Sequence, residues 1–440
     1  MDVLFIHPNF PGQFRGLASA LCAKNDMRVY TLRDASRNQS LPDLPGATHW
    51  TYAPPAESSQ EVHSYLRATD VGIRRGQTVA RLLLEKKHQG FEPDVIYVHP
   101  AWGDALYLKD IFPDAYVIGL FEYFYQTRGA DVGFDPEFPL EFDDIFRVRT
   151  MNTLQLLSLE ACDLGLCATA WQRSRYPKAY QDRLQVLHEG IDTVGLAPKD
   201  GAVLEVAGAS YTVGEHTIVS EPAVLRAGDE VLTYVSRSLE PYRGIHTFMR
   251  ALPLILRERP NCHVLILGKD EPTYGPPPKT GAHWRDVLLA ELIPRVDEAM
   301  LARVHFMGSV PYTQYLKVLA VSRVHVYLTY PFVLSWSMLE AMSMGCLVVG
   351  SRTAPVEEVI RHGENGLLVD FKDAGELAKT VNAALADPLP YAPLGRKARQ
   401  DIIQGYDFAA KVLPEHLALL ARQKRASETL AFLGDLPEGL

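Results

Sequence analysis

Two α/β domains, each a parallel sheet wound with helices on both faces, are what this sequence predicts, and three observations predict them. The chain has 440 residues, more than one hydrophobic core usually organises. Short apolar runs alternate along it with longer amphipathic segments, the signature of strand–helix–strand units. The alternation breaks once, across residues 196–229, and then begins again.

In the first part, residues 3–7, 28–32, 95–99, 116–121 and 164–168 are apolar runs bounded by turn or polar residues, and 14–24 and 69–88 carry helical periodicity. Residues 1–190 form the first domain on this basis. The interruption, with frequent Gly and alternating Val and polar residues, predicts a linker over 191–230 with a small hairpin. Strands are expected again at 231–236, 263–267, 304–307, 325–329 and 347–350, giving a second doubly wound domain over 231–400. Residues 401–440 read as a helix and a polar tail, the helix expected to pack back on the first domain. The Pro/Gly-rich stretch 269–284 follows a strand directly. It is either a ligand-contacting loop or a plain surface excursion.

Composition narrows the function. With 47% hydrophobic and 22% charged residues the chain is ordinary globular protein, and a formal charge of −9 offers no basic surplus for a nucleic-acid backbone. Nucleic acid is not an expected partner. Five cysteines, an odd number with no CxxC pair, read as buried reduced thiols. The opening MDVLFIHPNFPG reads as a first strand, not a signal peptide, and no stretch has the apolar length of a membrane span. The expected location is therefore cytoplasmic, with room for peripheral contact at the inner membrane face. Arg67, Arg74, Arg75, Arg81, Lys86 and Lys87 share a helical segment that either meets anionic lipid or is a solvated face.

Within YPFVLSWSMLEAMSMGCLVVGS, residues 330–351, a turn leads from one strand into a helix starting at Ser335 and then into another strand. Ser335 is a good N-cap, and the unpaired amides of the first turn, including those of Trp336 and Ser337, make an anion site suited to phosphate. Glu340 sits one turn inside a largely apolar helix. Its carboxylate needs donors, which a ribose would supply, unless it reaches solvent at the helix edge. A second strand-to-helix passage, VSRSLEPYRGIHTF, places Arg237 and Arg243 around a loop. Paired guanidiniums suit a diphosphate; the plain alternative is solvation or pairing with an acid such as Glu240.

These residues match a known family. SRSLEPYRG, LILG, VHFMGSVPY, LEAMSMGCLVVGS and APVEEVIRHGENGLLVDF occur in the order and spacing of the retaining glycosyltransferases of family 4, and together cover most of 231–390. FIHPNFPGQFRGLASAL, DVIYVHPAWGD, LFEYFY and LHEGIDT resemble one branch of the family in the first half. The resemblance implies a GT-B architecture, with two Rossmann-like domains facing across a cleft, a nucleotide-diphosphate sugar as donor, no metal, no other cofactor, and a carbohydrate, lipid-linked or other acceptor.

By position, the resemblance implies that Arg237 and Arg243 contact the donor diphosphate and stabilise the departing nucleotide, that Glu340 holds the ribose, and that His99 faces the sugar. Gly12 falls where the glycine loop approaches the phosphates. Val310, Phe332, Leu334, Ser335, Trp336 and Ser337 fall in the donor site. Glu122, Asp131 and Asp135 are acceptor-side candidates or structural residues. One position departs from the family: where its first glutamate would contact the donor sugar, eight residues before Glu340, this chain has Phe332. That substitution keeps a second reading open, a catalytically silent GT-B protein that binds nucleotide or glycan. A nicotinamide-dependent oxidoreductase is a third, disfavoured because no GxGxxG, nor even GxG, occurs.

Overall fold

The computed structural model describes residues 1–37, 43–139, 141–281 and 283–434, with 424–434 through their backbone alone. The last residues of the expected polar tail, 435–440, lie outside these. The chain divides into two compact units, Met1–Gly133 with Pro139–Gly190 and Phe408–Leu440, and Phe134–Phe138 with Ile191–Asp407.

The first unit is built on a seven-stranded sheet of β1 (Asp2–Ile6), β2 (Arg28–Asp34), β3 (Ala47–Tyr52), β4 (Val95–Val98), β5 (Tyr116–Leu120), β6 (Leu164–Cys167) and β7 (Leu184–Val186). All pairs are parallel, in the order β3-β2-β1-β4-β5-β6-β7. The chain winds outward in both directions from β1 and β4, so the carboxyl ends of those two strands flank the switch point where such sheets place ligands. β3 and β7 gave no sequence signal. Both lie at an edge, where half-solvated or very short strands carry no apolar run. The segment from Phe408 belongs to this unit because Val412, Leu419 and Leu420 pack into the core with Val3, Phe5, Phe14 and Leu17.

The second unit begins with two antiparallel ladders, β8 (Val203–Val206) with β11 (Ala223–Arg226) and β9 (Ala209–Val213) with β10 (His216–Ser220), where one small hairpin was expected. A six-stranded parallel sheet follows: β12 (Val231–Ser238), β13 (His263–Lys269), β14 (Val304–Gly308), β15 (Val324–Tyr327), β16 (Leu347–Ser351) and β17 (Leu367–Val369). Its order is β14-β13-β12-β15-β16-β17, with the switch point between β12 and β15.

Residues 134–138 fall inside the first domain expected from sequence, yet they cluster with the second unit. Phe134 packs on Tyr330 and Phe371, Phe138 on His246 and Trp284, and Glu137 makes a two-pronged ion pair with Arg250. Aromatic burial and a bidentate pair outweigh proximity in sequence here. Both units are sheets covered by helices, so this is a two-domain α/β protein of GT-B type.

Candidate active site

In the second unit two loops leave the carboxyl ends of the adjacent strands β12 and β15, and Arg243 sits where they meet. Pro241–Arg243 forms a tight turn closed by Gly244 at φ +70°, where a Cβ would stand 2.4 Å from the Cβ of Leu328. Only glycine fits that close, left-handed position, and the helix Ile245–Glu258 starts directly after it. The turn buries Arg243 to 5% exposure. Its Nη1 donates to Tyr327 Oη at 3.2 Å, Thr329 Oγ1 at 2.9 Å and the Val333 carbonyl at 2.9 Å. Its guanidinium carbon lies 5.2 Å from the ring centre of Tyr274 and 5.6 Å from that of Phe332. Burial disfavours the cation, and the surrounding tyrosines more than offset it. Among the described residues no carboxylate comes within ion-pair distance, so this is a buried positive charge held by neutral groups.

Glu240, the acid available to pair with the arginines, does something else. It is fully buried and accepts from the backbone amides of Thr273, Tyr274 and Gly275, the last at 2.8 Å. A carboxylate on consecutive amides pins the Pro/Gly-rich loop and delivers the Tyr274 ring to Arg243. That loop is therefore tied to the site at 273–275. Arg237 is exposed near the end of β12. Phe332, 4% exposed, closes the other side of Arg243 and packs on Tyr242 and Tyr274, with ring centres 5.6 and 5.0 Å away. Where a hydrogen-bond acceptor was expected by resemblance, the chain thus supplies an aromatic wall for a cation.

Ser335 caps the helix Trp336–Ser343 as the sequence predicts, its hydroxyl accepting from the Ser337 amide. The Ser335 amide is itself spent on Tyr327 Oη at 2.7 Å, which leaves fewer first-turn donors than the bare sequence suggests. Trp336 is 37% exposed, while Leu334 and Val310 are partly buried against the apolar core. Glu340 does not reach solvent; it is 8% exposed, with Tyr312 donating to Oε1 at 3.0 Å and Tyr315 to Oε2 at 2.6 Å. Burial raises the Glu340 carboxyl above its ordinary range, and the two phenols only partly oppose this. A cavity of about 370 Å³ opens beyond the carboxyl ends of β13 and β14, lined by residues including Lys269, Asp270, Arg285 and Ser309. A larger hollow of about 490 Å³ lies against the helices Ile245–Glu258 and Ala374–Ala386, with none of these groups converging on it.

In the first unit the carboxyl ends of β1, β4 and β5 bring together His7, Gln13, His99 and Glu122. Gly12 has φ +46°, and a Cβ there would meet the His7 ring at 2.6 Å. His99 is 1% exposed, stacks on Trp102 at 4.5 Å, and places Nε2 3.2 Å from Glu122 Oε2, off the line of a good hydrogen bond. Gln13 bonds both His7 Nε2, at 2.9 Å, and Glu122 Oε1. Burial would raise the Glu122 carboxyl, but His99, Gln13 and His7 outweigh it and hold it at about 2.

The other acceptor-side candidates are occupied. Asp131 is 2% exposed and accepts from Tyr123 Oη at 2.6 Å. Asp135 belongs to the second unit and bonds His246 at 3.0 Å and Tyr330 at 3.1 Å. The basic helix Arg67–His88 spends most of its charge internally, Arg74 on Asp70, Arg75 on Asp34 and Lys87 on Glu92. Among the described residues no helix is long and apolar enough to cross a membrane.

Sequence reasoning missed Tyr274, Tyr312, Tyr315, Tyr327, His7 and Gln13. Tyr312 and Tyr315, three apart in VPYTQY, share a helix face, and His7 ends its strand just as His99 ends its own. The tyrosines at 274 and 327 carry no such local signal.

Fold and site together define a two-domain α/β scaffold with polar and charged groups gathered at the carboxyl ends of its sheets, and comparison with known proteins supplies the family. A profile described as glycosyl transferase family 4 group matches residues 25–196, and one described as glycosyl transferases group 1 matches residues 229–387. The chain belongs to glycosyltransferase family 4. Glycogen synthase of Mycobacterium tuberculosis is 27% identical over 187 residues, 42% of this chain and 40% of that protein. One subunit of the phosphatidylinositol N-acetylglucosaminyltransferase of Arabidopsis thaliana is 24% identical over 262 residues, 59% of this chain and 50% of that protein. The match thus spans half or less of each of these curated relatives. In overall fold the chain is similar to sucrose-phosphate synthase of Thermosynechococcus elongatus, with TM-score 0.68 and 17% identity over 97% of this chain and 100% of that one. It is also similar to Anabaena HepE in complex with UDP-glucose, with TM-score 0.62 and 16% identity over 96% of this chain and 100% of that one.

Proposed function

We propose that the protein transfers a sugar from a nucleotide-diphosphate sugar to a carbohydrate, lipid-linked or other acceptor with retention of anomeric configuration and without a metal. The observation that carries this reading is Arg243, a buried cation facing tyrosines, a threonine and a carbonyl but no carboxylate among the described residues. A diphosphate is the ligand class that compensates such a charge. Arg237, exposed near the end of the same strand, supplies a second cation, and Glu340 accepts from the ribose hydroxyls. The family relatives, among them a glycogen synthase and a neighbour solved with UDP-glucose, support the donor class.

In the proposed reaction the anomeric C–O bond breaks and its electron pair leaves with the diphosphate. The acceptor oxygen bonds the anomeric carbon on the same face, and its proton passes to a leaving-group oxygen. Fixed positive charge at that oxygen lowers the barrier because it need not reorganise as charge develops. His99, held between Trp102 and Glu122 at the mouth of the first sheet, is assigned to the sugar, and Glu122 to the acceptor side through its contacts with His99 and Gln13. Of the clustered groups Asp135, Glu137 and His246, Asp135 bonds His246 and Tyr330, and Glu137 pairs with Arg250.

Phe332 favours the second reading, a silent nucleotide- or glycan-binding protein, because an aromatic wall accepts no hydrogen bonds from sugar hydroxyls. Incubation with a panel of nucleotide sugars separates the two. A transferase releases nucleoside diphosphate slowly even without acceptor and loses that release in Arg243→Ala, whereas binding with no release in any member supports the silent reading. A thermal-shift series over the same panel identifies the donor, since the preferred one raises the melting temperature by mass action.

A further inference from the structure

The helix Phe142–Met151 of the first unit buries one side chain, Val148. On the solvent side Phe142 is 75% exposed, Phe146 50% and Ile145 40%. Their i, i+3, i+4 spacing makes a single stripe, which Arg149 continues one turn further on. Phe142 and Phe146 already touch edge to face, with ring centres 4.9 Å apart. The helix rests on the Ser64–Leu66 turn, where Leu66 adds a further apolar side chain, 46% exposed. Apolar surface so concentrated on one outward face marks an interaction site.

We propose that this face pairs with the same helix of a second copy of the chain, antiparallel about a two-fold axis passing between Ile145 and Phe146. The charge order selects the occupant. Glu141, Asp143 and Asp144 stand at the start of the helix, and Arg147 and Arg149 in its last turns. Antiparallel pairing about that axis sets Phe142 opposite Arg149, a ring against a cation, and Ile145 opposite Phe146. It brings Asp143 beside Arg147 of the second copy on the same flank. A self-complementary patch of this kind is what a closed two-fold dimer requires, whereas parallel pairing would set like charges together. An anionic bilayer fits less well, because the acids at one end of the helix offset the arginines at the other.

Sedimentation velocity across a wide concentration range tests the proposal on the full chain. The expected result is a species of twice the chain mass that Phe146→Asp converts to monomer. Asp143→Arg and Arg147→Asp should each abolish the dimer when alone, because each sets like charges across the interface twice. An equal mixture of those two variants should restore a mixed dimer, which a merely misfolded variant cannot do. A wild-type chain that stays monomeric throughout, a dimer indifferent to all three substitutions, or a monomer that instead co-sediments with phosphatidylglycerol vesicles through Phe146 would each overturn it.

Discussion

Each unit holds a largely enclosed glutamate near the carboxyl ends of its sheet, Glu122 in the first and Glu340 in the second, and the two behave oppositely. Glu122 lies beside His99 and is held by Gln13, and its carboxyl falls to about 2 against the pull of burial. Glu340 has two phenol donors and, among the described residues, no basic group opposing its burial, so its carboxyl is raised. Neutral donors satisfy geometry; a basic neighbour is needed to reverse the cost of desolvation. The same contrast extends to the cations. The first unit sets a histidine and a glutamine beside its acid, while the second leaves Arg243 in a cage of rings and hydroxyls with no carboxylate within ion-pair distance among the described residues.

The sharpest way to break that contrast is to remove the uncompensated cation. Arg243→Ala should lower turnover by about 10²–10³-fold, the scale for loss of a preorganised charge at a leaving oxygen. Arg243→Lys should rescue little, because an ammonium cannot both stack between Tyr274 and Phe332 and keep the planar fork of donors. Turnover within a few-fold of wild type in either variant would refute the role given to this residue.

In the first unit, Glu122→Gln should cost on the order of 2 kcal/mol at neutral pH, read from chemical denaturation. A depressed folded value gives stability that is complete above the ordinary glutamate range and is lost as the pH falls towards about 2, so the difference between wild type and variant should shrink over that interval. A gap that stays constant down to acidic pH would show that His99 and Gln13 do not hold the charge.

For Glu340 the sign is reversed. Its raised folded value stabilises most at low pH, and that contribution fades as the pH rises through it. Nucleotide binding through the ionised carboxylate should therefore fail on the acid side at a higher pH than an ordinary glutamate would dictate. Tyr315→Phe removes the shorter donor, so calorimetric titration against pH should show the acid limb moving upward, with a loss of about 1–2 kcal/mol in binding. The smallest effect is expected for Tyr312→Phe, about 0.5 kcal/mol, because Tyr312 is 49% exposed and its longer bond competes with water. If Tyr312→Phe outweighs Tyr315→Phe, the roles of the two tyrosines are exchanged.

Much of this was legible before any coordinates. The strands at 3–7, 95–99, 263–267 and 347–350 appear nearly where the apolar runs placed them, because central parallel strands are buried on both faces and must be continuously apolar. Ser335 as a cap and the turn at Arg243 were equally readable, since helix starts and glycine turns are local events. The edge strands β3 and β7 were not, because solvent on their open side removes the pattern. Nor was the true partner of Glu240 readable: its amides lie more than thirty residues away in sequence.

What the sequence determined by itself was the period of the elements, the residues at their ends, and hence two wound sheets with a basic turn and an acidic helix in the later one. Tertiary structure alone decided which groups those side chains meet. It turned Glu240 towards the loop at 273–275, set Tyr312 and Tyr315 on Glu340, and sent residues 134–138 to the second unit. The reason is physical: propensity and capping act within a few residues, whereas desolvating a charge forces it to find whatever donors the whole fold brings within hydrogen-bond reach.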